Sequence, residues 1–453
     1  MHRISLIFLY FLFVLIPKAY SSFTHPGLLV TNSDIDRAKS KIDAKMDPWL
    51  SSWNKLTSIK YSNPSYASQA VPSIERSTNG ALLWQDTAAT FDLALRWKIS
   101  GDTQYADASA RILADWASQL KSVGGDDNKY LTAGLQGYEL ANTAELLRDY
   151  PPFSKNGLAS VIRMLTTIIL PLNIKFLNHG EPSEHNHRHF FANWELSNVA
   201  SAMAIGVLTD NQTTWDFAIN YFKNGTGNGA IENAITNIVV DETGRSLGQG
   251  QEAGRDQGHA GLDVQLLGVI GQQAWNQGED LFGYDDNRIL LKYVNKVPCL
   301  HFTYILLASA EYYARYNLGR DVPFIPYYDG IHNFSVISNT SRGAVRPTWE
   351  LMYSHYAVVK GLEAPCTKLY RNYSLETFKE IQHSATEFEG GAGSWGEGAG
   401  HYDGFGWGSL LHRLEENGIG SKASCFKTCP RALKKRDHRF AGFRRLLSGT
   451  RRH

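Results

Sequence analysis

The polar segment that best suits chemistry spans residues 248–259, with the sequence Gly-Gln-Gly-Gln-Glu-Ala-Gly-Arg-Asp-Gln-Gly-His. On a helix, Gln251, Arg255 and His259 would follow at intervals of four and share one face. A guanidinium binds carboxylates, and an imidazole transfers protons near neutral pH. An exposed or salt-bridged face is the simpler interpretation. However, the very apolar stretch from Leu262 to Val269 predicts a buried helix, so we interpret the polar face as a candidate site.

Three further clusters contain amide, phenol and imidazole groups. One begins a helical pattern near residue 193, one ends an apolar helical pattern near residue 316, and one follows a loop-rich region near residue 350. Their candidate residues are Asn193, Trp194, Tyr312, Tyr316, Tyr353 and His355. The alternating histidines at 185, 187 and 189 are also typical of metal ligands, but no fixed carboxylate accompanies them. We therefore predict no metal site.

Amphipathic helical patterns must position these clusters. Apolar residues recur three or four apart over residues 84–99, 104–120, 135–148, 156–177, 194–206, 214–222, 249–273 and 300–316, and 346–361 adds one more helix. Strand-like alternation is scarce before about residue 320, and residues 319–343 and 389–408 are rich in Gly, Pro and aromatic residues. The sequence predicts an all-α dominated fold, an (α/α) toroid or barrel of paired helices, with loop-rich and minor β additions towards the C-terminus.

The ends of the chain differ from this pattern. Residues 1–21 have the layout of a secretory signal peptide, and no later stretch approaches transmembrane length. We expect a toroid domain at 22–420, a basic disordered tail at 421–453, and a secreted, extracellular monomer that does not bind membranes after signal cleavage. Sequons predict glycosylation at Asn211, Asn224, Asn333, Asn339 and Asn372. Of the three ways to pair four cysteines, we predict a Cys299 to Cys366 disulfide.

Charge is distributed unevenly along the chain, although its formal net charge is only +1. Residues 421–453 contain eleven Lys or Arg and one acidic residue, so they carry +10 and the rest of the chain carries −9. An acidic body lacks the basic face that nucleic-acid binding requires. Nucleic acid is therefore not the expected partner.

Taken together, these motifs resemble the alginate-lyase superfamily, most closely the family 38 polysaccharide lyases. The resemblance rests on Asn193-Trp194 leading into 204–207, the 251–259 segment, and Glu311-Tyr312 followed by the stretches 316–319 and 321–324. It extends over about residues 25–414. The basic tail and the histidine-rich stretch before Asn193 are departures from the family pattern.

The resemblance implies an (α/α) toroid that cleaves a β-1,4-linked polyuronate, glucuronan or mannuronate-rich alginate, by β-elimination without a cofactor. It implies catalytic roles for His259 as base or neutraliser, for Tyr312 as acid and also as base, and for Arg255 and Asn193 as neutralisers of the uronate carboxylate. Gln251, Trp194, Tyr316, Tyr353 and His355 would bind substrate. Tyr316 is the second choice for the acid.

Two other functions stay open on the sequence. An inverting glycoside hydrolase on a similar toroid needs two suitably separated carboxylates, for which Glu252, Asp256 and Glu311 are the candidates. A non-catalytic polysaccharide-binding protein is the other alternative, and it is favoured if His259 and Tyr312 lie far apart.

Overall fold

Long helices lying side by side form the inner layer of the protein. The computed structural model describes residues 22–179, 189–242, 244–284, 304–382, 399–416 and 429. The helices are α1 (Asn32–Asp43), α2 (Trp49–Ser58), α3 (Gly80–Ser100), α4 (Thr103–Gln119), α5 (Asn128–Leu146), α6 (Pro151–Asn156), α7 (Leu158–Met164), α8 (Leu170–Leu177), α9 (Ala192–Leu208), α10 (Gln212–Asn224), α11 (Ile231–Ala234), α12 (Gln257–Asn276), α13 (Ile305–Asn317), α14 (Trp349–Tyr353), α15 (Pro365–Gln382) and α16 (Gly408–Leu411). The strands are β1 (Ser73–Glu75), β2 (Ser122–Gly124), β3 (Ile235–Val240), β4 (Ser246–Gly250), β5 (Tyr327–Tyr328) and β6 (Asn333–Phe334).

The inner helices α5, α9 and α12 run parallel. Gly134 of α5 lies against Ser197 of α9, and Gly137, one turn later, lies against Ser201. A Cβ atom at Gly134 would be 2.2 Å from the Ser197 hydroxyl oxygen, so these glycines permit the close approach of the two helices. The start of α9 meets the residues just before α12, and Gln273 near the end of α12 donates to the Ala200 carbonyl. The N-termini of these helices therefore lie at one end of the fold.

A second set of helices covers this layer and closes it into a ring. The helix α4 packs on α3, α8 packs on α5 and α9, and α10 packs on α9. From α12 the contacts pass to α13, α15, α14 and α16, and α16 contacts α1 and α2, which return to α3. The predicted (α/α) toroid of paired helices is confirmed.

Strands are few, as the sequence indicates, but the longest of the described residues, β3 and β4, pair antiparallel before residue 320. Their β-branched residues Ile235, Thr236, Ile238, Val239 and Val240 favour an extended backbone. One predicted element is wrong: the helix expected over 249–273 begins only at Gln257, after the end of β4 and a 3₁₀ turn.

One helical stretch is long and apolar enough to cross a membrane, contrary to the expectation that none follows the predicted leader. Leu158–Leu177 consists of α7, a π-helical turn at Leu165–Ile169, and α8. It belongs to the outer layer of the ring, where α8 packs against α5 and α9.

Cys366 on α15 forms a disulfide with Cys429, and both cysteines are buried. The predicted Cys299 to Cys366 pairing is therefore wrong, because cysteine spacing alone does not determine which pairs meet in space. Cys299 lies outside the described residues, as do the predicted leader and the rest of the segment assigned to the tail. The bond fixes one point of that segment to α15.

The disulfide gives a stability prediction. Cys366→Ser and Cys429→Ser should each lower the unfolding free energy by about 2–5 kcal/mol, because each opens a covalent loop that restricts the unfolded chain. Thermal unfolding of the single variants and of the double variant measures this. The double variant should have the same melting temperature as either single variant. Cys299→Ser is the control and should leave the melting temperature unchanged; a lowered value there, with Cys429→Ser silent, would restore the sequence-based pairing.

The five sequon asparagines, Asn211, Asn224, Asn333, Asn339 and Asn372, are all exposed. Exposure is what a glycan requires, so glycosylation stays a prediction at each position.

Candidate active site

The turn at residues 251–256 joins β4 to α12 and carries the polar segment. A 3₁₀ turn covers Gln251–Gly254, and Asp256 then adopts an extended backbone. Its Oδ1 accepts the His259 backbone N–H at 2.9 Å, which makes Asp256 the N-cap of α12. The continuous helix predicted from residue 249 is therefore wrong, because a helix begins anew at Gln257.

The carboxylate of Glu252 organises the turn. It is fully buried, and its Oε1 accepts hydrogen bonds from the Asn193 backbone N–H at 3.0 Å and from Asn193 Nδ2 at 2.5 Å. Its Oε2 accepts from Arg255 Nη1 at 2.6 Å. One buried anion thus fixes an amide from α9 and a guanidinium from the turn in a single arrangement.

Hydrogen bonds at both ring nitrogens fix the orientation of His259. Arg255 Nη2 lies 3.2 Å from His259 Nε2, and a guanidinium has only donors, so Nε2 accepts. The proton is therefore on Nδ1, which donates to Asp256 Oδ2 at 2.7 Å. This tautomer presents a lone pair on Nε2, as a general base requires.

Asp256 stays ionised in this pair. Burial raises the pKa of its carboxyl, but the hydrogen bonds from the His259 side chain and backbone outweigh burial, so the pKa of Asp256 is lowered. The carboxylate therefore orients the imidazole and stabilises any charge that it gains. The His259 side chain is 41% exposed and Arg255 is 25% exposed, so a ligand can reach both.

Positive charge surrounds this cluster. The N-termini of α9 and α12 contribute the positive ends of two helix dipoles. Arg346 donates to the Gly258 carbonyl at 2.9 Å, next to His259, and it shares the Asp403 carboxylate with Arg76. Arg346 and Arg76 thus offset the charge of Asp403, and the two helix N-termini add positive potential where an anionic ligand would bind.

Helix α13, which carries the candidate tyrosines, packs against the start of α12. Tyr313 donates to the Gln257 carbonyl at 3.0 Å, and Asn317 Nδ2 donates to Gln257 Oε1 at 2.9 Å, so α13 packs on the first turn of α12. Tyr312 lies in a small apolar cluster that includes Ala253 of the turn. In the described part of the chain its hydroxyl has no hydrogen-bond partner.

Burial raises the pKa of Tyr312, with a smaller contribution from Tyr316, so its phenol stays protonated. Burial also raises the pKa of Tyr316, and the Arg342 guanidinium that stacks on its ring at 3.8 Å opposes the shift. A protonated phenol can donate a proton, and it would have to lose that proton before it could act as a base. Both roles predicted for Tyr312 stay predictions.

Gln251 and Trp194 flank the cluster in different ways. Gln251 is buried, and its Oε1 accepts the Ala192 backbone N–H at 3.2 Å, so it supports the start of α9. Trp194 is half-buried and packs on Phe190, with ring centroids 4.9 Å apart. Only Trp194 presents an accessible surface of the kind that stacks on a sugar.

The structure does not bring Tyr353 and His355 to this cluster. Tyr353 is buried on α14 under the Arg371 guanidinium. His355 packs between Phe282 and Trp275 near the end of α12, about 24 Å along the helix from His259 at 1.5 Å per residue. Burial lowers the pKa of His355 to about 4. The sequence suggested that Tyr353 and His355 bind substrate because they are close to a loop-rich region, but both are buried away from His259 and Arg255.

The carboxylates considered for a hydrolase all have structural partners. Glu252 binds Asn193 and Arg255, and Asp256 caps α12. Glu311 is buried, pairs with Arg245 at 2.8 Å, and accepts the Thr367 backbone N–H at 2.7 Å in the first turn of α15. Within the described ranges, no group of three or more His, Cys, Asp and Glu residues is arranged to hold a metal ion.

The sequence analysis missed Phe191, which contacts Arg255, and His332, which contacts Phe191. The Arg255 guanidinium carbon lies 3.9 Å from the Phe191 ring centroid, and the His332 ring lies 4.2 Å from the same centroid. A signal for His332 was present: Asp329 precedes it by three residues, the same spacing that separates Asp256 from His259. Nothing in the sequence indicated that Phe191 would contact Arg255.

Comparison with known proteins adds a family match. A family model described as alginate lyase matches residues 30–297, which is more than half of the chain. The matched region includes Asn193, Arg255 and His259, whereas Tyr312, Tyr316 and His332 lie beyond it. No curated protein matches the chain.

Among solved structures, the chain is similar to an alginate lyase from Bacteroides ovatus, with 13% identity, a TM-score of 0.41, and coverage of 64% of this chain and 91% of that chain. It is also similar to alginate lyase A1-III from Sphingomonas species A1, with 17% identity, a TM-score of 0.37, and coverage of 59% and 76%. A variant of A1-III complexed with a tetrasaccharide has 16% identity, a TM-score of 0.43, and coverage of 60% and 76%.

Proposed function

Because the chain belongs to the alginate lyase family, we propose that it is a polysaccharide lyase that cleaves a β-1,4-linked polyuronate, glucuronan or mannuronate-rich alginate, by β-elimination. The arrangement of Arg255, His259 and Asp256 is the observation that carries this proposal. A cation that binds carboxylates lies 3.2 Å from a neutral imidazole whose tautomer is fixed by an anion.

The first step is removal of the proton on C5 of the uronate. This proton is weakly acidic, and the neighbouring carboxylate opposes the negative charge that develops when it leaves. Arg255, supported by Asn193, binds that carboxylate and offsets its charge. When Arg255 binds the uronate carboxylate, its guanidinium moves away from His259 Nε2. The lone pair of Nε2 then takes the C5 proton.

The second step breaks the bond between C4 and the glycosidic oxygen. The electron pair left at C5 forms the double bond between C4 and C5, and the leaving oxygen takes a proton from an acid. A tyrosine of α13 supplies it, Tyr312 as first choice and Tyr316, one turn later, as second. Burial raises the pKa of Tyr312, so its phenol is protonated when substrate binds.

All groups in these steps are side chains of the chain itself, so we propose that the reaction needs neither cofactor nor metal ion. Trp194 would stack on a sugar beside the reacting one. Membership of polysaccharide lyase family 38, export from the cell, glycosylation at the five sequons and a monomeric state complete the proposal.

A substrate screen tests the function. The purified protein, incubated separately with glucuronan, polymannuronate and polyguluronate, should raise ultraviolet absorbance on glucuronan or polymannuronate, because elimination leaves an unsaturated ring. The rise should persist with a chelator present. Activity that the chelator abolishes and calcium or zinc restores would contradict the metal-independent mechanism, and binding without any product would indicate a polysaccharide-binding protein.

A further inference from the structure

The hairpin formed by β5 and β6 contains a second histidine and aspartate pair. Asp329 has no exposed side-chain surface, and its Oδ1 accepts the backbone N–H groups of Ile331 at 3.0 Å and His332 at 2.8 Å. Its Oδ2 accepts from Tyr327 Oη and from His332 Nδ1, both at 2.9 Å. Four hydrogen bonds thus lock the carboxylate and fix the imidazole against it.

This geometry repeats that of Asp256 and His259. In both pairs one carboxylate oxygen accepts the histidine backbone N–H and the other accepts Nδ1. Nδ1 of His332 therefore carries a proton, and its Nε2 is the remaining polar atom of the ring. The His332 side chain is 11% exposed, so only a small part of it can meet solvent or a ligand.

The hairpin is fastened beside the turn that carries Arg255. Phe334 lies directly against Gly254, where an added Cβ atom would be 2.3 Å from the Phe334 Cβ. Farther along, the Ser338 backbone N–H donates to the Ala253 carbonyl at 3.1 Å, and the Gln257 backbone N–H donates to the Thr340 carbonyl at 2.9 Å. Phe191 contacts both the Arg255 guanidinium and the His332 ring. His332 is thus connected to Arg255 through Phe191.

We propose that His332 is a substrate-binding residue that hydrogen-bonds, through Nε2, to the uronate next to the one held by Arg255. The proposal rests on the proposed function, since it takes an acidic polysaccharide as the ligand. Asp329 is its positioning residue: it holds the imidazole at a fixed angle, so that binding costs little side-chain freedom. Because His332 would bind before and during the reaction, it should affect substrate affinity more than turnover.

Three variants separate binding from packing. His332→Ala removes both the hydrogen bond and the contact with Phe191, whereas His332→Phe keeps an aromatic ring against Phe191 and removes only the polar atoms. His332→Gln retains a side chain that can donate or accept. His25→Ala is the matched control, because His25 is likewise paired with a carboxylate, Glu145, but at the far end of α5.

We expect His332→Ala and His332→Phe to raise KM about tenfold on the polymer, the effect of losing one hydrogen bond to a charged group. Their kcat should stay within about threefold of the unmodified protein. His332→Gln should recover much of the lost affinity, and His25→Ala should leave KM unchanged. A normal KM for His332→Phe would show that the ring acts by packing alone, and a loss confined to kcat would contradict a binding role; either result overturns the proposal.

A second readout distinguishes this proposal from the proposed function. Calorimetric titration with a glucuronate or mannuronate oligosaccharide measures affinity whether or not the ligand is cleaved. If the protein binds the oligosaccharide without cleaving it, and His332→Phe weakens that binding about tenfold, the lyase assignment fails but the role of His332 stands. If the oligosaccharide is cleaved and the unmodified protein and His332→Phe bind it with equal affinity, only the role of His332 is overturned. If the protein binds no uronate, both the role of His332 and the lyase assignment are overturned.

Discussion

Replacing His259 with alanine is expected to lower kcat by about 10²–10⁴-fold, the usual contribution of a positioned proton-transfer group. KM should change little, because the imidazole acts on the C5 proton and does not bind the carboxylate. Steady-state ultraviolet assays on the best uronan measure both constants. The neutral tautomer imposed by Arg255 and Asp256 is the structural reason for the expectation.

The companion variant for this prediction is Asp256→Asn. An amide can still cap α12 and contact His259, but it no longer stabilises the charge that the imidazole gains. It should therefore lower kcat as well, by about tenfold or more, with the melting temperature nearly unchanged. If His259→Ala retains more than a tenth of normal turnover, the base is another residue.

Arg255→Ala should damage both binding and turnover. The guanidinium binds the uronate carboxylate in the ground state and neutralises it as negative charge develops at C5, so KM should rise and kcat should fall. We expect kcat/KM to fall by about 10–10²-fold, the effect of losing a hydrogen bond to a charged group. The variant should also be less stable by about 3–5 kcal/mol, because Glu252 keeps a buried charge without its cation.

Arg245→Ala provides a matched control for this variant. Arg245 also pairs with a buried glutamate, Glu311, but that pair lies at the start of α15, away from His259. Its loss should lower stability and leave KM unchanged. If Arg255→Ala behaves in the same way, with lower stability and normal KM, Arg255 is only the structural partner of Glu252.

The helices of the toroid were predictable because apolar residues recur three or four positions apart along them. The predicted segment 194–206, for example, corresponds to α9, Ala192–Leu208. The turn before α12 was missed because Gln251, Arg255 and His259 are spaced four residues apart. That spacing matches a helical period even though the backbone there is not one continuous helix. Asp256 is a residue type that is common at N-caps, so it is a signal that could have indicated the break.

Side chains that act through long-range contacts were harder to predict. Asn193, Arg255 and His259 meet because Glu252 bridges α9 and the turn, and no local pattern encodes that bridge. Tyr353 and His355 shared residue types with the site but are packed in α14 and the turn after it. His332 lay in a loop-rich stretch with no periodicity, so only its spacing from Asp329 could have identified it.

The most direct test of the central claim, elimination at the site of Arg255 and His259, is mass spectrometry of the products from a defined uronate oligosaccharide. Elimination adds no water, so the masses of the two fragments should sum to the mass of the substrate, with one fragment carrying the unsaturated ring. The same products should be missing with His259→Ala at equal enzyme concentration and time. Fragments whose summed mass exceeds the substrate by one water molecule would show hydrolysis and contradict the account.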